Sequence, residues 1–113
     1  VLTDIKANLE TKDKSNKTAL MYAAQCGHTP CVQILVNAKA DVNAHDKAGN
    51  TALILAARKG HHACAQSLLN AKADIEAQDQ DGFTALMWAT ENDHIACMQV
   101  FANVNVGWTG ERK

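Results

Sequence analysis

TALMYAAQC, residues 18–26, decides the fold because the chain writes it three times. It returns as TALILAARK at 51–59 and as TALMWATEN at 84–92, with a spacing of 33 each time. When residues 13–45 are laid on 46–78, about 18 of the 33 positions are identical. A fixed period of this length marks a repeat architecture. The expected units are 13–45, 46–78 and 79–103. Residues 1–12 read as the end of a preceding partial repeat, because Ala7-Asn8-Leu9-Glu10 aligns with Ala40-Asp41-Val42-Asn43. Residues 104–113 break register and read as an irregular tail or the start of a shortened repeat. There, Gly107-Trp108-Thr109 echoes Gly82-Phe83-Thr84 after 25 residues.

Each unit has a physical reading. It opens on Asp13, Asp46 or Asp79, followed by a turn with Asn16, Gly49 or Gly82, residue types that tolerate positive φ. Thr18, Thr51 and Thr84 are placed to cap a helix through their hydroxyls. Leu20, Ala23 and Ala24 fall at i, i+3 and i+4 and form one apolar stripe. Gly27 and Gly60 suit a left-handed stop. A second helix follows, with Thr29 expected as its cap, Pro30 in its first turn, and Cys31, Ile34 and Leu35 on its apolar side. The segment AKADVNA or AKADIEA then closes the unit as an extended turn. One such pair cannot bury its stripe alone, whereas stacked copies can. The expected fold is therefore all-α, a short α-solenoid of stacked helix–turn–helix repeats with hairpin turns.

Composition agrees. Hydrophobic residues make up 47% of the chain but aromatics only 4%, so much of the apolar content is alanine, the best helix former. A net charge of −1 provides no field to attract nucleic acid or an anionic membrane. The longest apolar run, TALILAA at 51–57, is far short of a membrane span. Four cysteines in 113 residues are too sparse for a disulfide scaffold. These features exclude nucleic acid and membrane as expected partners and point to an intracellular location, cytoplasmic or nuclear. Asn16-Lys17-Thr18 fits a glycosylation pattern. With nothing else pointing to secretion, it reads as a chance match. The chain begins on Val1 rather than methionine, which suggests a segment excised from a longer array, with further repeats of the same protein as neighbours.

The unit reads D-x-x-[GN]-x-T-A-L-[MI]-x-A-[AT]-x-x-[GD]-H, then a helix, then A-K-A-D-[VI]-[NE]-A. This resembles the ankyrin repeat, over nearly the whole chain up to about Asn103. The resemblance implies stacked repeats that bind other proteins through the hairpin tips and the exposed side of the first helices, without catalysis. The departures from the family pattern are specific. Its usual Pro is Ala19, Ala52 and Ala85, and its usual His is Met21, Ile54 and Met87. Where it prefers glycine, the chain has Lys39 and Lys72. If the backbone is left-handed there, each lysine costs about 1 kcal/mol relative to glycine. Repeat three has Thr90 for Ala and Asp93 for Gly. The last helix, IACMQVFA, is rich in large apolar groups, whereas a terminal repeat should present a polar outer face. Trp108 is the expected cover if no further protein follows.

Three His-x-x-Cys pairs recur: His28/Cys31, His61/Cys64 and His94/Cys97. A metal ladder would need four ligands around one point. Equivalent residues of stacked helices should instead stand about 8–10 Å apart. The favoured reading has each histidine bonding loop backbone and each cysteine buried as a small hydrophobe. Cys26 lies outside the repeating position and is the candidate reactive thiol. Asn43 occupies a turn with Leu35 eight residues before it. The resemblance makes it a candidate for asparaginyl hydroxylation, and the plainer reading has it bonding its own backbone. No glycine-rich phosphate loop or repeat-independent catalytic set is present, so neither an enzyme nor a cofactor is expected.

Specific function should lie at the non-repeating positions. The candidate partner-binding residues are Lys14, Lys17, Gln25, Cys26 and His45 in repeat one. Repeat two adds Lys47, Asn50, Arg58, Lys59 and Gln78, and repeat three adds Asp81, Phe83, Glu91 and Asn92. The series passes from basic to acidic, so a partner should be acidic opposite the first two repeats and more basic opposite the third. Phe83 is the expected hydrophobic anchor. Tyr22, Leu55 and Trp88 share one repeat position and are expected to pack between repeats. The expected function is non-catalytic protein–protein binding. The alternatives are a regulatory or spacer segment of a larger enzyme or channel, or a metal or redox module.

Overall fold

The computed structural model describes residues 12–104. Six helices lie in this span: α1 Ala19–Gln25, α2 Thr29–Asn37, α3 Ala52–Lys59, α4 His62–Asn70, α5 Ala85–Glu91 and α6 Ile95–Val104. They stack in two rows. α3 packs between α1 and α5, and α4 packs between α2 and α6. Among the described residues, extended pairing is limited to one antiparallel bridge, His45 with Thr51. The architecture is the expected all-α solenoid. The partial repeat expected at 1–12 lies outside the described residues except for Lys12. The tail expected at 104–113, with Trp108, lies outside them except for Val104.

Local chemistry sets the helix ends. The hydroxyls of Thr18, Thr51 and Thr84 accept the amides of Met21, Ile54 and Met87 at 3.4, 3.2 and 3.2 Å. Each such cap is worth about 1 kcal/mol. The first helices stop where Gly27, Gly60 and Asp93 take positive φ. The amides of His28, His61 and His94 then reach back to the carbonyls of Ala23, Ala56 and Ala89, a closure that satisfies carbonyls the helix leaves free. The second helices stop in the same way at Lys39 and Lys72, φ 74° and 73°. The lysines therefore do sit in the left-handed region.

Two expectations about α2 fail. Thr29 is the first helical residue, and the cap position belongs to His28, which makes no side-chain cap bond. The Thr29 hydroxyl instead meets Cys64 Sγ at 3.2 Å, in the next repeat. The buried residue of α2 is Val32, while Cys31 and Ile34 are exposed and Leu35 is half-buried. The reason is position in the stack. Cys64 and Cys97, equivalent to Cys31, are fully buried against the preceding repeat. Cys31 is therefore not a rung of a buried cysteine ladder.

The core runs along the inner row. Every residue of α3 from Ala52 to Ala57 is buried. Burying a side chain the size of Leu53, Ile54 or Leu55 contributes about 1.5–3 kcal/mol. Alanines at 23, 24, 56, 57 and 89 let the rows approach closely. Val32, Leu68 and Phe101 fill the space under the outer row.

Candidate functional site

One aspartate per repeat builds the hairpin tip. Asp13 Oδ1 accepts the amides of Ser15 and Lys17, both at 2.9 Å. Asp46 Oδ1 accepts those of Ala48 and Asn50 at 2.9 and 2.8 Å. Asp79 Oδ1 accepts those of Asp81 and Phe83 at 2.9 and 3.0 Å. Adjacent tips are tied by Lys47 N–H donating to Ser15 O at 3.0 Å and Gln80 N–H donating to Ala48 O at 2.8 Å. Gly49 lies in this seam at φ 85°, where a Cβ would stand 2.9 Å from Gln80 N. Only glycine fits there.

The second carboxylate oxygen finds a different partner in each repeat. Asp13 takes the Tyr22 hydroxyl, and Asp79 takes the Trp88 indole N–H at 2.9 Å. In repeat two the equivalent residue is Leu55, which has nothing to donate. There Asp46 takes Lys17 Nζ from repeat one at 2.5 Å and Asn50 Nδ2 at 3.4 Å. The Tyr22 hydrogen bond, with backbone amides behind it, holds the Asp13 carboxyl below the usual range and pushes the Tyr22 phenol up. Burial pushes Asp46 upward, but Lys17 and Asn50 outweigh it and the net shift is down. Asp79 likewise ends below its ordinary value. Burial opposes this, and the Phe83 amide, the Trp88 indole, the Asp81 amide and the Arg58 charge bring it about. All three carboxylates are thus held ionised for turn building.

These contacts correct two candidate residues. Lys17 has a side chain only 19% exposed, with its ammonium on Asp46. Asn50 is 5% exposed and turned into the hairpin. Lys17 ties repeat one to repeat two, Asn50 braces its own hairpin, and neither presents a free surface. Exposure is kept by Lys14, Cys26, His45, Lys47, Lys59, Gln78, Asp81, Glu91 and Asn92, while Gln25 is half-buried. Cys26 lines a groove at the repeat-one end of the stack, together with Tyr22 and Cys31.

The non-repeating residues converge on Trp88. The Arg58 guanidinium lies over its ring, 4.4 Å from the centroid. Phe83 packs against the same ring at 4.7 Å between centroids, with a 36° tilt. Arg58, Phe83 and Trp88 are all half-buried. The Arg58 carbonyl accepts Asn92 Nδ2 at 3.2 Å and meets His94 Nε2 at 3.0 Å. Phe83 is therefore one wall of an aromatic cluster rather than a free anchor. Trp88, expected to pack between repeats, does so and is the centre of the cluster. The sequence signal was its departure from Tyr22 and Leu55, two turns of chain after Asp79.

The histidines serve stacking. The rings of His61 and His94 cover Gly27 and Gly60 of the preceding repeat, where an added Cβ would stand 2.8 and 2.7 Å from a ring atom. His94 bonds the preceding repeat's backbone rather than its own loop. Among the described residues no three His, Cys, Asp or Glu side chains converge on a common point, and all four cysteines are free thiols. Burial, with the Cys64 thiol close by, pushes the Cys97 thiol up. Asn43 also bonds across the stack: its Oδ1 accepts the Asp74 amide at 2.7 Å, in the next repeat.

A family model for ankyrin repeats in three copies matches residues 1–79 and again 38–109. The chain belongs to the ankyrin repeat family. It has no significant match among curated proteins. Ankyrin repeats are generally protein–protein interaction modules and are typically non-catalytic. No described helix is long and apolar enough to cross a membrane.

Proposed function

We propose that this segment is a non-catalytic binding module that captures an acidic stretch of a partner protein across repeats one and two. The observation that carries this reading is the Arg58 guanidinium stacked on Trp88 beside Phe83. A stacked arginine has already lost much of its side-chain freedom, and its planar N–H fork suits a carboxylate. Aromatic and arginine residues also dominate binding energy at interfaces. Lys14, Lys47 and Lys59 are exposed along the same repeats and extend the positive charge. Asp81 and Glu91 are exposed on repeat three, which supports a partner that turns more basic at that end. The four free thiols support an intracellular setting.

The test uses fluorescent peptides of graded charge and reads anisotropy. Glutamate-rich peptides should bind, and their affinity should fall tenfold or more in the double variant Arg58→Glu with Lys59→Glu. Circular dichroism checks that the repeats stay folded. Binding that ignores peptide charge, or that survives the double reversal, sinks the proposal.

A further inference from the structure

The described repeats form two junctions, α1 against α3 and α3 against α5, and their chemistry differs. Between repeats one and two, three equivalent positions hold Gln25, Asn50 and Leu55. Between repeats two and three they hold Arg58, Phe83 and Trp88. The first junction packs with Leu55 buried and Asn50 turned into its own hairpin. Neither a cation nor an aromatic ring at these positions is therefore needed to join two repeats. At the second junction repeat three holds Arg58 at both ends. The Arg58 carbonyl accepts Asn92 Nδ2 at 3.2 Å and meets His94 Nε2 at 3.0 Å. The guanidinium lies over Trp88, 4.4 Å from the ring centroid. The ring is itself fixed, because its indole N–H donates to Asp79 Oδ2 at 2.9 Å and Phe83 packs against it. Asp79 in turn is anchored by the Asp81 and Phe83 amides of its tip. A line of contacts thus runs from the repeat-three hairpin, through the indole, to a guanidinium of repeat two.

We infer that, within the acidic-peptide binding proposed above and resting on it, Trp88 is the positioning residue that sets specificity. It presents Arg58 as a fixed planar fork, so the site selects a side-chain carboxylate taken in two parallel N–H···O bonds rather than negative charge in general. An arginine free in solvent gives up side-chain freedom when a ligand orders it, and one laid on an indole has given up much of it already. Stacking uses the face of the guanidinium and leaves its N–H edge for the ligand. The nearby Asp79 carboxylate feels the Arg58 charge, but its oxygens are engaged by the tip amides and the indole. Among the described residues the guanidinium edge has no ion-pair partner of its own.

Two measurements on the full chain test this: anisotropy of a labelled, C-terminally amidated glutamate-rich peptide, and the nuclear magnetic resonance signal of the Arg58 Nε–H in the free protein. Arg58→Lys keeps the charge and loses the fork. Trp88→Leu installs the residue that repeat two carries. Trp88→Tyr keeps a ring and a donor for Asp79, as Tyr22 serves Asp13 in repeat one. Arg58→Lys and Trp88→Leu should each weaken peptide binding about tenfold. Trp88→Tyr should recover most of what Trp88→Leu loses. The ring-shifted Arg58 Nε–H should persist in Trp88→Tyr and vanish in Trp88→Leu. Circular dichroism checks the fold. If Trp88→Leu unfolds, Arg58→Lys, a change outside the apolar core, decides by itself. A wild type that binds no glutamate peptide overturns the proposed function and this inference with it. Wild-type binding that Arg58→Lys or Trp88→Leu matches, that Trp88→Tyr fails to recover, or a ring shift that survives Trp88→Leu overturns the inference alone.

Discussion

Repeats two and three open their first helices on the same Thr-Ala-Leu, yet these helices live in different environments. Leu53 in α3 is 1% exposed, while its equivalent in α5, Leu86, is 37% exposed. The caps are alike, since Thr51 and Thr84 accept their third-residue amides at the same 3.2 Å. What differs is the described neighbour toward higher residue numbers: α3 has α5 there, and no described first helix follows α5. Helix formation in this molecule is encoded within a repeat, and burial is encoded between repeats. Stability is then a sum of local terms and nearest-neighbour interfaces.

Truncating the two leucines breaks this comparison most directly. Leu53→Ala empties a position enclosed by α1 and α5 and should cost about 2–5 kcal/mol. Leu86→Ala removes a side chain already in part solvated and should cost about 1 kcal/mol or less. Urea midpoints at constant slope measure both. Equal losses would mean that burial is not set by the neighbour.

A smaller contrast separates a contact from backbone geometry. Gly60 and Gly82 have nearly the same φ, 77° and 82°. Around Gly82 an added Cβ meets nothing within 4 Å, so Gly82→Ala should cost only the left-handed penalty of about 1–2 kcal/mol. At Gly60 the methyl would press on the His94 ring, which meets the Arg58 carbonyl through Nε2. Gly60→Ala should cost about 1 kcal/mol more than Gly82→Ala. Repeating Gly60→Ala in a His94→Ala background should erase that excess, a double-mutant cycle read from denaturation midpoints. An excess that persists without the ring would remove histidine–glycine stacking as its cause.

The same division explains what could be read from the residues alone. Threonine caps, aspartate turns and left-handed glycines and lysines are decided by atoms within a few residues, and the period revealed them. The buried side of α2 is decided by what lies on either side of it, so Cys31 and Ile34 looked apolar and proved exposed. Asn50 and Lys17 misled for a subtler reason. Non-repetition was read as surface variation, whereas both serve Asp46, whose repeat has Leu55 where Tyr22 and Trp88 supply a donor. A change at one repeat position is compensated at two others. Trp88 packs between repeats two and three as its repeat position implies, whereas Tyr22 at the same position is exposed and bonds its own repeat's Asp13; what spacing does not relate is the pairing of Trp88 with Arg58.

The smallest expected effect tests the local half of the comparison. Lys39 and Lys72 end α2 and α4 with nearly identical backbone, φ 74° and 73°. Their closing bonds match as well, Ala40 N–H donating to Leu35 O and Ala73 N–H donating to Leu68 O, both at 3.0 Å. Glycine would relieve the left-handed strain at either site, about 1–2 kcal/mol. It would return part of that gain as unfolded-chain entropy, about 0.5–1 kcal/mol. Lys39→Gly and Lys72→Gly should therefore each stabilise by about 0.5–1 kcal/mol. The equality of the two gains matters more than their size. Among the described helices, one lysine follows α2, which has only α4 beside it in the outer row, and the other follows α4, flanked by α2 and α6, yet the strain resides in a single residue's backbone. Thermal or urea unfolding of both variants should give the same increment, and a gain confined to Lys72 would mean that neighbours set even this term.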